Sequence, residues 1–315
     1  MNRRDFLAQV LTTTAALGTA TKTTARTPVD ASASRPFRLR FAPHEGQFRH
    51  HAGEDILDQI RFARDAGFTA WEDNRLRRRD AAVQNAIGRL LEKLGMTMGV
   101  FVAFADFSAP VFAGNRLSAG DRHRDPQAVR ERLRAEMTAS VELAKRVGAR
   151  WATVVPGAAD LSLLPEHQTA NVADNLRFCA EIVERAGPVL VLEPLNYINH
   201  PGCFLQRAAQ AHQICRMVDS PSVKILFDIY HQQISEGNLI NNLSDAWDEI
   251  AYIQVGDVPG RKEPTTGEIN YANIFRWLHG RGYRGIIGME HGLSRPGREG
   301  ELALIEAYRA VDVDA

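Results

Sequence analysis

The stretch from Val223 to His231 reads VKILFDIYH, an apolar run that ends on an aspartate, with a histidine three residues later. Its first five residues have the length and composition of a buried strand. A carboxylate at the end of such a strand loses part of its hydration, which is costly unless a cation or hydrogen-bond donors face it. Asp228 and His231 therefore indicate a functional site at the carboxyl end of this strand.

The same strand pattern recurs along the chain from Arg38 onward, each time followed by a helical segment. The apolar runs are continuous rather than alternating, which is typical of parallel strands covered on both faces. Eight such units in roughly 280 residues predict a single-domain α/β fold, a (β/α)8 TIM barrel over residues 36–315. A doubly wound open sheet is the alternative, but no glycine-rich phosphate turn follows the first strand. The eight runs are RLRFAP (38–43), AWED (70–73), TMGVFVAF (97–104), WATVVPG (151–157), VLVLEPLN (189–196), VKILFDIYH (223–231), AYIQVGD (251–257) and GIIGMEHG (285–292).

Each of the last four strands ends on a side chain that offers oxygen. These residues are Glu193, Asp228, Gln254 and Glu290. The carboxyl ends of barrel strands meet at one mouth, with neighbouring strands ~5 Å apart. Strand-end acids can instead cap neighbouring helices, but four in succession favour a shared site. Because hard cations prefer oxygen ligands, we expect Mg²⁺ or Mn²⁺ there.

Further polar side chains are expected at the same mouth, where they would bind a small-molecule substrate. The candidates are His231, Arg261, Asn196, His44 and Glu72. Arg261 lies in the loop after the seventh strand, where a guanidinium can clamp an acidic or hydroxylated compound. Two other residues have simpler interpretations. Glu268 caps the following helix, and His291 is either a supporting group or a hydrogen-bonded loop histidine.

The first 33 residues are expected to be a leader that precedes the barrel. Arg3 and Arg4 stand before an apolar, Thr/Ala-rich run, an arrangement that resembles a twin-arginine export signal. The run is too short and too weakly apolar for a membrane anchor. We therefore expect a periplasmic protein. If the leader is only a disordered basic segment, the protein would stay in the cytoplasm.

Charge and cysteine content limit which partners and which disulfides can be expected. Lys+Arg and Asp+Glu number 38 each, so the formal net charge is zero and a general nucleic-acid or membrane-surface partner is not expected. The basic run Arg75–Arg79 is interpreted as a solvated face. Cys179, Cys203 and Cys215 are too few for a disulfide framework and are predicted to be buried free thiols, although Cys203 and Cys215 could pair.

Four segments resemble the hydroxypyruvate isomerase family, which belongs to the wider xylose isomerase-like TIM barrels. They are VLVLEPLN, FDIYHQQISEGNL, YIQVGDVPGRKEPTTGEINYANIF and GIIGMEHG, and they lie within residues 189–292. The resemblance implies that Glu193, Asp228, Gln254 and Glu290 are metal ligands. It also implies acid–base roles for the two glutamates and substrate binding by His231 and Arg261.

The implied activity is a metal-dependent isomerisation of a small α-hydroxy-carbonyl compound, of hydroxypyruvate type or a ketose, through an enediolate. Gln254 favours an isomerase, because related sugar 3-epimerases usually carry histidine there. A homo-oligomer is compatible with this activity. Three alternatives stay open: a sugar 3-epimerase or dehydratase, a related barrel nuclease, and an exported non-catalytic carbohydrate-binding protein.

Two departures from the family pattern concern the identity of the substrate. His44, in FAPHEGQF, replaces an Asn-Leu-Ser-like stretch, and His291 stands where a tyrosine is usual after Glu290.

Overall fold

The computed structural model describes residues 35–185 and 187–312, which form a barrel of parallel strands surrounded by helices. The predicted leader over residues 1–33 lies outside the described residues and stays a prediction. The strands are β1 Arg40–Ala42, β2 Ala70–Trp71, β3 Thr97–Met98, β4 Phe101–Ala105, β5 Trp151–Val155, β6 Val189–Leu192, β7 Val223–Asp228, β8 Ile250–Gln254 and β9 Ile286–Gly288.

Seven of these strands form one parallel sheet in the order β1-β9-β8-β7-β6-β5-β4, and β2 pairs in parallel with β3. A parallel bridge between His44 and Glu72 joins the chain after β1 to the chain after β2. The chain continues from β3 into β4 across Gly99 and Val100, which completes the ring. The predicted eight-stranded arrangement is therefore confirmed, with the third strand in two pieces.

Eleven helices are described between and after the strands, and none of those in the described ranges is long and apolar enough to cross a membrane. In the longest, Val129, Leu133 and Met137 recur every four residues and are buried, as expected for one face of a helix packed on a barrel. The helices are α1 Arg49–Ala52, α2 Ile56–Asp65, α3 Ala81–Leu94, α4 Val111–Gly114, α5 Pro126–Val147, α6 Pro165–Val183, α7 Ala208–Val218, α8 Ile229–Ser235, α9 Leu239–Asp245, α10 Tyr271–Gly280 and α11 Gly297–Val311.

The apolar core has an outer and an inner part. The large outer part fills the space between strands and helices. The inner cluster includes Trp151 on β5, Val191 on β6 and Tyr252 on β8. Because this cluster fills the barrel, polar residues farther along the strands are held at the mouth. The three cysteines are buried and free, as predicted.

Candidate active site

The strand ends bring acidic and amide side chains together at the mouth of the barrel. Glu193 directly follows β6, Asp228 and Gln254 are the last residues of β7 and β8, and Glu290 lies two residues beyond β9. Asp228, Gln254 and Glu193 are 0%, 1% and 7% exposed. One ligand atom each from Glu193, Asp228 and His231 lie within 4.8 Å of one another. This grouping places the ends of β6 and β7 close together at the mouth, and a site shared by all four strand-end residues stays a prediction.

The two carboxylate oxygens of Asp228 do different things. Oδ1 accepts the backbone N–H groups of Tyr230 and His231, at 2.8 and 3.4 Å, and so caps α8. Oδ2 faces the site, 3.2 Å from Arg261 Nη2 and 3.6 Å from His231 Nε2. Helix capping, the alternative interpretation of a strand-end acid, is therefore true of one oxygen, and the second faces the site and accepts from Arg261.

His231 presents an N–H group to the site. Its Nδ1 accepts from the Asn196 backbone N–H at 3.1 Å and from Asn196 Nδ2 at 2.7 Å. The amide orientation is fixed because Asn196 Oδ1 accepts the backbone N–H groups of Ile198 and Asn199. Burial, together with Arg261, lowers the pKa of His231 to about 2, so the ring is neutral. The proton therefore sits on Nε2, which lies 3.9 Å from Glu193 Oε1.

Gln254 is oriented by a buried carboxylate beneath it. Glu72 is 0% exposed and accepts from Gln254 Nε2 at 2.6 Å and from Tyr252 Oη at 2.5 Å, and it also contacts His44 Nε2. A carboxylate can only accept here, so Gln254 Nε2 must face Glu72. Gln254 Oε1 is left buried without a hydrogen-bond partner among the described groups. Gly288 makes room for Glu72, because a Cβ there would clash with its carboxylate.

Arg261 lies between two of the strand-end acids. Its Nη2 is 3.2 Å from Asp228 Oδ2 and 3.3 Å from Glu290 Oε2, and its Nε donates to the Glu290 carbonyl at 3.0 Å. Arg261 has a left-handed φ of +52°, a conformation that costs energy for a non-glycine residue. Its N–H donates to the Asp257 carbonyl at 2.9 Å, which helps to hold this geometry. The guanidinium is thus positioned rather than freely solvated.

Burial and mutual repulsion favour the neutral forms of the clustered acids. Burial raises the pKa of Glu193 well above its ordinary value, and Glu290 and Asp228 add to the shift. Burial also raises the pKa values of Asp228 and Glu290, against the opposing effect of Arg261. A bound divalent cation would instead favour the ionised carboxylates.

The side chains at the mouth fit a hard divalent cation. Glu193, Asp228 Oδ2, Gln254 Oε1 and Glu290 Oε2 are oxygen donors of the kind that Mg²⁺ and Mn²⁺ prefer. Gln254 Oε1 and Glu290 Oε2 are buried and have no hydrogen-bond partner among the described groups. His231 is less suited to be a ligand, because its Nε2 carries the proton.

Two cavities open at the mouth and share the side chains of Asn74, Arg261 and Glu290 as a common wall. The reaction cavity, of about 520 Å³, contains Glu193 and His231. The side cavity, of about 370 Å³, is lined by other polar residues. These include His44, Gln47, Arg49, Arg75 and His291.

The predicted substrate-binding residues divide into two groups. His231, Arg261 and His44 line the cavities. Asn196 and Glu72 are fully buried behind that lining, where they position His231 and Gln254. Their direct contact with substrate stays a prediction.

Sequence reasoning did not identify Asn74 or Tyr252 as site residues. Asn74 Nδ2 donates to Glu290 Oε1 at 3.0 Å, and Tyr252 donates to Glu72. For Tyr252 a signal was available, because it stands two residues before Gln254 and so faces the same side of the strand.

The basic run after β2 is largely solvated, as predicted, and ion pairs also anchor it. Arg79 lies 2.6 Å from Asp73 and 2.9 Å from Glu45, and Arg77 donates to the Ala103 carbonyl. Arg75, 72% exposed at its side chain, lies at the rim of the side cavity. The run is anchored because its acidic partners come from the loops after β1 and β2 and from α5, where Glu136 pairs with Arg77.

His291 is a loop histidine whose two ring nitrogens both have hydrogen-bond partners. Its Nδ1 lies 2.9 Å from the Gly292 carbonyl and its Nε2 lies 2.8 Å from Tyr308 Oη. Burial lowers its pKa to about 3, so the ring is neutral. Nδ1 therefore donates to the carbonyl and Nε2 accepts from the tyrosine hydroxyl.

Comparison with known proteins agrees with this architecture. The sequence is 32% identical to the hydroxypyruvate isomerase of Escherichia coli over 161 residues, 51% of this chain and 62% of that protein. It is 36% identical to the 2-oxo-tetronate isomerase of Cupriavidus necator over 139 residues, 44% of this chain and 53% of that protein. The chain thus spans between half and two thirds of the length of these curated relatives. They confirm the resemblance found in the sequence.

Solved structures share the fold across most of the chain. The crystal structure of AP endonuclease, family 2, from Brucella melitensis superposes with a TM-score of 0.68 at 26% identity, covering 86% of this chain and 99% of that one. The family described as xylose isomerase-like TIM barrel matches residues 60–310. The chain belongs to the xylose isomerase-like TIM barrel family.

Proposed function

We propose that the protein is a metal-dependent isomerase of a small α-hydroxy-carbonyl acid, of the hydroxypyruvate or 2-oxo-tetronate type. The observation that carries this proposal is the convergence of Glu193, Asp228, Gln254 and Glu290 on one mouth that also contains Arg261. The activities named for the two curated isomerase relatives support it.

A divalent cation held by the four strand-end oxygens would supply positive charge to the oxygens of the substrate as an enediolate forms. Arg261 can bind the substrate carboxylate through its guanidinium, since it is the cation that already faces the strand-end acids. His231 donates from Nε2 to a substrate oxygen. These contacts orient the reacting carbons toward the glutamates.

The proton transfer needs a carboxylate near each reacting carbon. In the proposed reaction, Glu193 or Glu290 removes the proton from the hydroxyl-bearing carbon, and the C–H electron pair forms the enediolate double bond. The same glutamate or its counterpart then delivers a proton to the neighbouring carbon, and the hydroxyl proton passes to the former carbonyl oxygen, which exchanges the carbonyl and hydroxyl positions. An efficient acid–base group has a pKa near the working pH, and a bound cation would oppose the raised pKa that burial gives Glu193.

The alternative functions make different demands on the same barrel. An epimerase would return the proton to the same carbon, and Gln254 in place of the usual histidine favours the isomerase. A barrel nuclease would need further histidine ligands for extra metals. Within residues 35–185 and 187–312 the Glu193–Asp228–His231 group is the one cluster of three acid, histidine or cysteine ligands. A non-catalytic binding protein on this barrel would be expected to lack one of the four oxygen ligands, and all four are present.

Exchange of substrate hydrogen with solvent deuterium tests the proposal. We expect the Mn²⁺-loaded protein to incorporate deuterium from D₂O into hydroxypyruvate or a 2-oxo-tetronate. Glu193→Gln and Glu290→Gln should each lower the rate by about 10²-fold or more, because each removes a proton-transfer group. Glu268→Gln, a change at an exposed glutamate, is the matched control. Full activity in either glutamine variant would remove that glutamate from the mechanism, and absence of exchange with all α-hydroxy-carbonyl acids and ketoses would refute the proposed function.

A further inference from the structure

The side cavity adjoins the reacting centre and is built partly from the positions where this chain departs from the family pattern. Both His44 and His291 line it. His44 Nε2 contacts Glu72, and both ring nitrogens of His291 have partners, Tyr308 and Gly292. The two departures therefore shape the wall of the side cavity, and His44 also contacts the Glu72 carboxylate that orients Gln254.

The acids that line the side cavity are already paired with cations. Asp73 and Glu45 both bind Arg79, at 2.6 and 2.9 Å. Glu290 lies 3.3 Å from Arg261. Each of the three acids that line the side cavity therefore has a cation of the protein within 3.3 Å, and Arg79 serves two of them.

Several cations at the side cavity lack a close acidic partner. Arg49 lines the cavity and its guanidinium makes no ion pair or hydrogen bond with the described residues. Arg75 comes no closer than 3.9 Å to Glu45. Lys262 stands at the edge, where a Cβ placed on Gly292 would lie 3.1 Å from its Nζ. An anion entering the cavity would meet these cations.

We propose that the side cavity binds a second acidic group of the substrate, a carboxylate or phosphate at the end away from the reacting carbons. This inference rests on the proposed function and names the substrate class, an α-hydroxy-carbonyl acid with a second anionic group. Arg49 and Arg75 are its specificity-determining residues. Asn74, Arg261 and Glu290 line both cavities, which are therefore adjacent, and the proposed substrate reaches past Glu290 from the reaction cavity into the side cavity.

The size of the combined mouth agrees with a substrate larger than a three-carbon acid. The cavities measure about 520 and 370 Å³. Each lies within the ~300–1,000 Å³ range of pockets that enclose drug-sized ligands. A three-carbon acid would fill only a fraction of this space, whereas a longer acid with charge at both ends would reach both cavities.

Binding of unreactive acids tests the proposal without relying on turnover. The probes are D-glycerate, D-tartrate, which adds a second carboxylate, and 3-phospho-D-glycerate, which adds a phosphate. Calorimetry with the Mn²⁺-loaded full chain should show at least one doubly acidic probe binding about tenfold or more tighter than D-glycerate, as a charged hydrogen bond provides. The two doubly acidic arms distinguish carboxylate from phosphate.

Variants assign the preference to the side cavity. Arg49→Gln with Arg75→Gln should reduce the preference to less than about threefold while leaving D-glycerate affinity unchanged, and Arg49→Lys with native Arg75 should retain most of it. Arg61→Gln is the matched control, because Arg61 pairs with Asp58 on the exposed face of α2.

Equal affinities for all three probes in the native protein, or a preference that survives the double change, would overturn the inference. Loss of deuterium exchange with a retained preference would refute the proposed isomerase alone.

Discussion

Glu72 is the residue that determines which way the Gln254 amide points. It accepts from Gln254 Nε2 at 2.6 Å and leaves Oε1 for the site. We expect Glu72→Ala to weaken Mn²⁺ binding about 10- to 100-fold, the usual effect of removing a group that orients a metal ligand. Calorimetric titration of the folded variant measures this change.

Tyr252→Phe is the matched control for Glu72. It removes one donor to Glu72 but leaves the Glu72–Gln254 contact in place. Its Mn²⁺ affinity should stay within about threefold of the native value, on the order of 0.7 kcal/mol or less. Native affinity in Glu72→Ala would show that Gln254 needs no such support.

Glu193 makes the stability of the metal-free protein depend on pH. Its pKa is raised in the folded state, so the folded state binds more protons than the unfolded chain at pH values between the two pKa values. The contribution of this group to stability is therefore lost as pH rises from the unfolded pKa through the folded pKa. Glu193→Gln cannot ionise and should become more stable relative to the native protein as pH rises above the ordinary pKa of a glutamate.

Thermal melts in a chelating buffer measure this difference at each pH. Excess Mn²⁺ should reverse the stability difference between the variant and the native protein, because the ion binds the ionised carboxylate of the native protein and not the variant amide. A stability difference that does not change with pH in the chelating buffer would mean that Glu193 titrates normally.

At the scale of elements, Asp228 at the junction between β7 and α8 has both a structural role and a proposed metal-binding role. Asp228 caps α8 with Oδ1 and faces the site with Oδ2. Asp228→Asn keeps a capping oxygen but loses the charge, whereas Asp228→Ala loses both. We expect neither variant to bind Mn²⁺ with native affinity. In chelator, the alanine variant should be about 1 kcal/mol less stable than the asparagine variant.

Urea unfolding of the two Asp228 variants measures the capping difference, and calorimetry measures the metal. Equal stabilities would show that the cap contributes nothing to α8. Retained Mn²⁺ affinity in Asp228→Asn would exclude Oδ2 as a necessary ligand.

The elements also show where local sequence is insufficient. The apolar runs predicted the strands because buried parallel strands have a continuous apolar composition. The run TMGVFVAF was predicted as one strand, yet β3 and β4 are interrupted at Gly99. A Cβ on Gly99 would clash with Tyr252 Oη, from a strand about 150 residues away in sequence. Such a contact is invisible in an eight-residue window.

Helix capping after strands was predicted less well. The short helix α8 was not identified, although aspartate at its N-cap was an available signal. Glu268 was expected to cap α10, and this prediction is wrong. Asn270 caps that helix by accepting from the Asn273 N–H, and Glu268 accepts from Gln233. Asparagine is the better N-cap because its shorter side chain reaches the backbone of the first turn.

At the scale of the whole molecule, barrel topology made the site predictable. Strand-end residues separated by 26 to 36 positions converge because consecutive parallel strands place their carboxyl ends at one mouth. The contribution of Glu72 was not predictable in the same way. Glu72 fits beneath Gln254 because Gly288 has no side chain, and Gly288 lies on a strand more than 200 residues later. Registers between distant strands are set by the closed barrel rather than by either segment alone.

The metal content of the purified protein tests the central claim most directly, with Glu290→Ala measured beside it. The proposed site predicts about one divalent ion per native chain after exposure to Mn²⁺ or Mg²⁺, and a large loss in the variant. If neither protein retains an ion even in excess Mn²⁺ or Mg²⁺, the strand-end oxygens do not form a metal site, and the proposed metal-dependent isomerisation is contradicted.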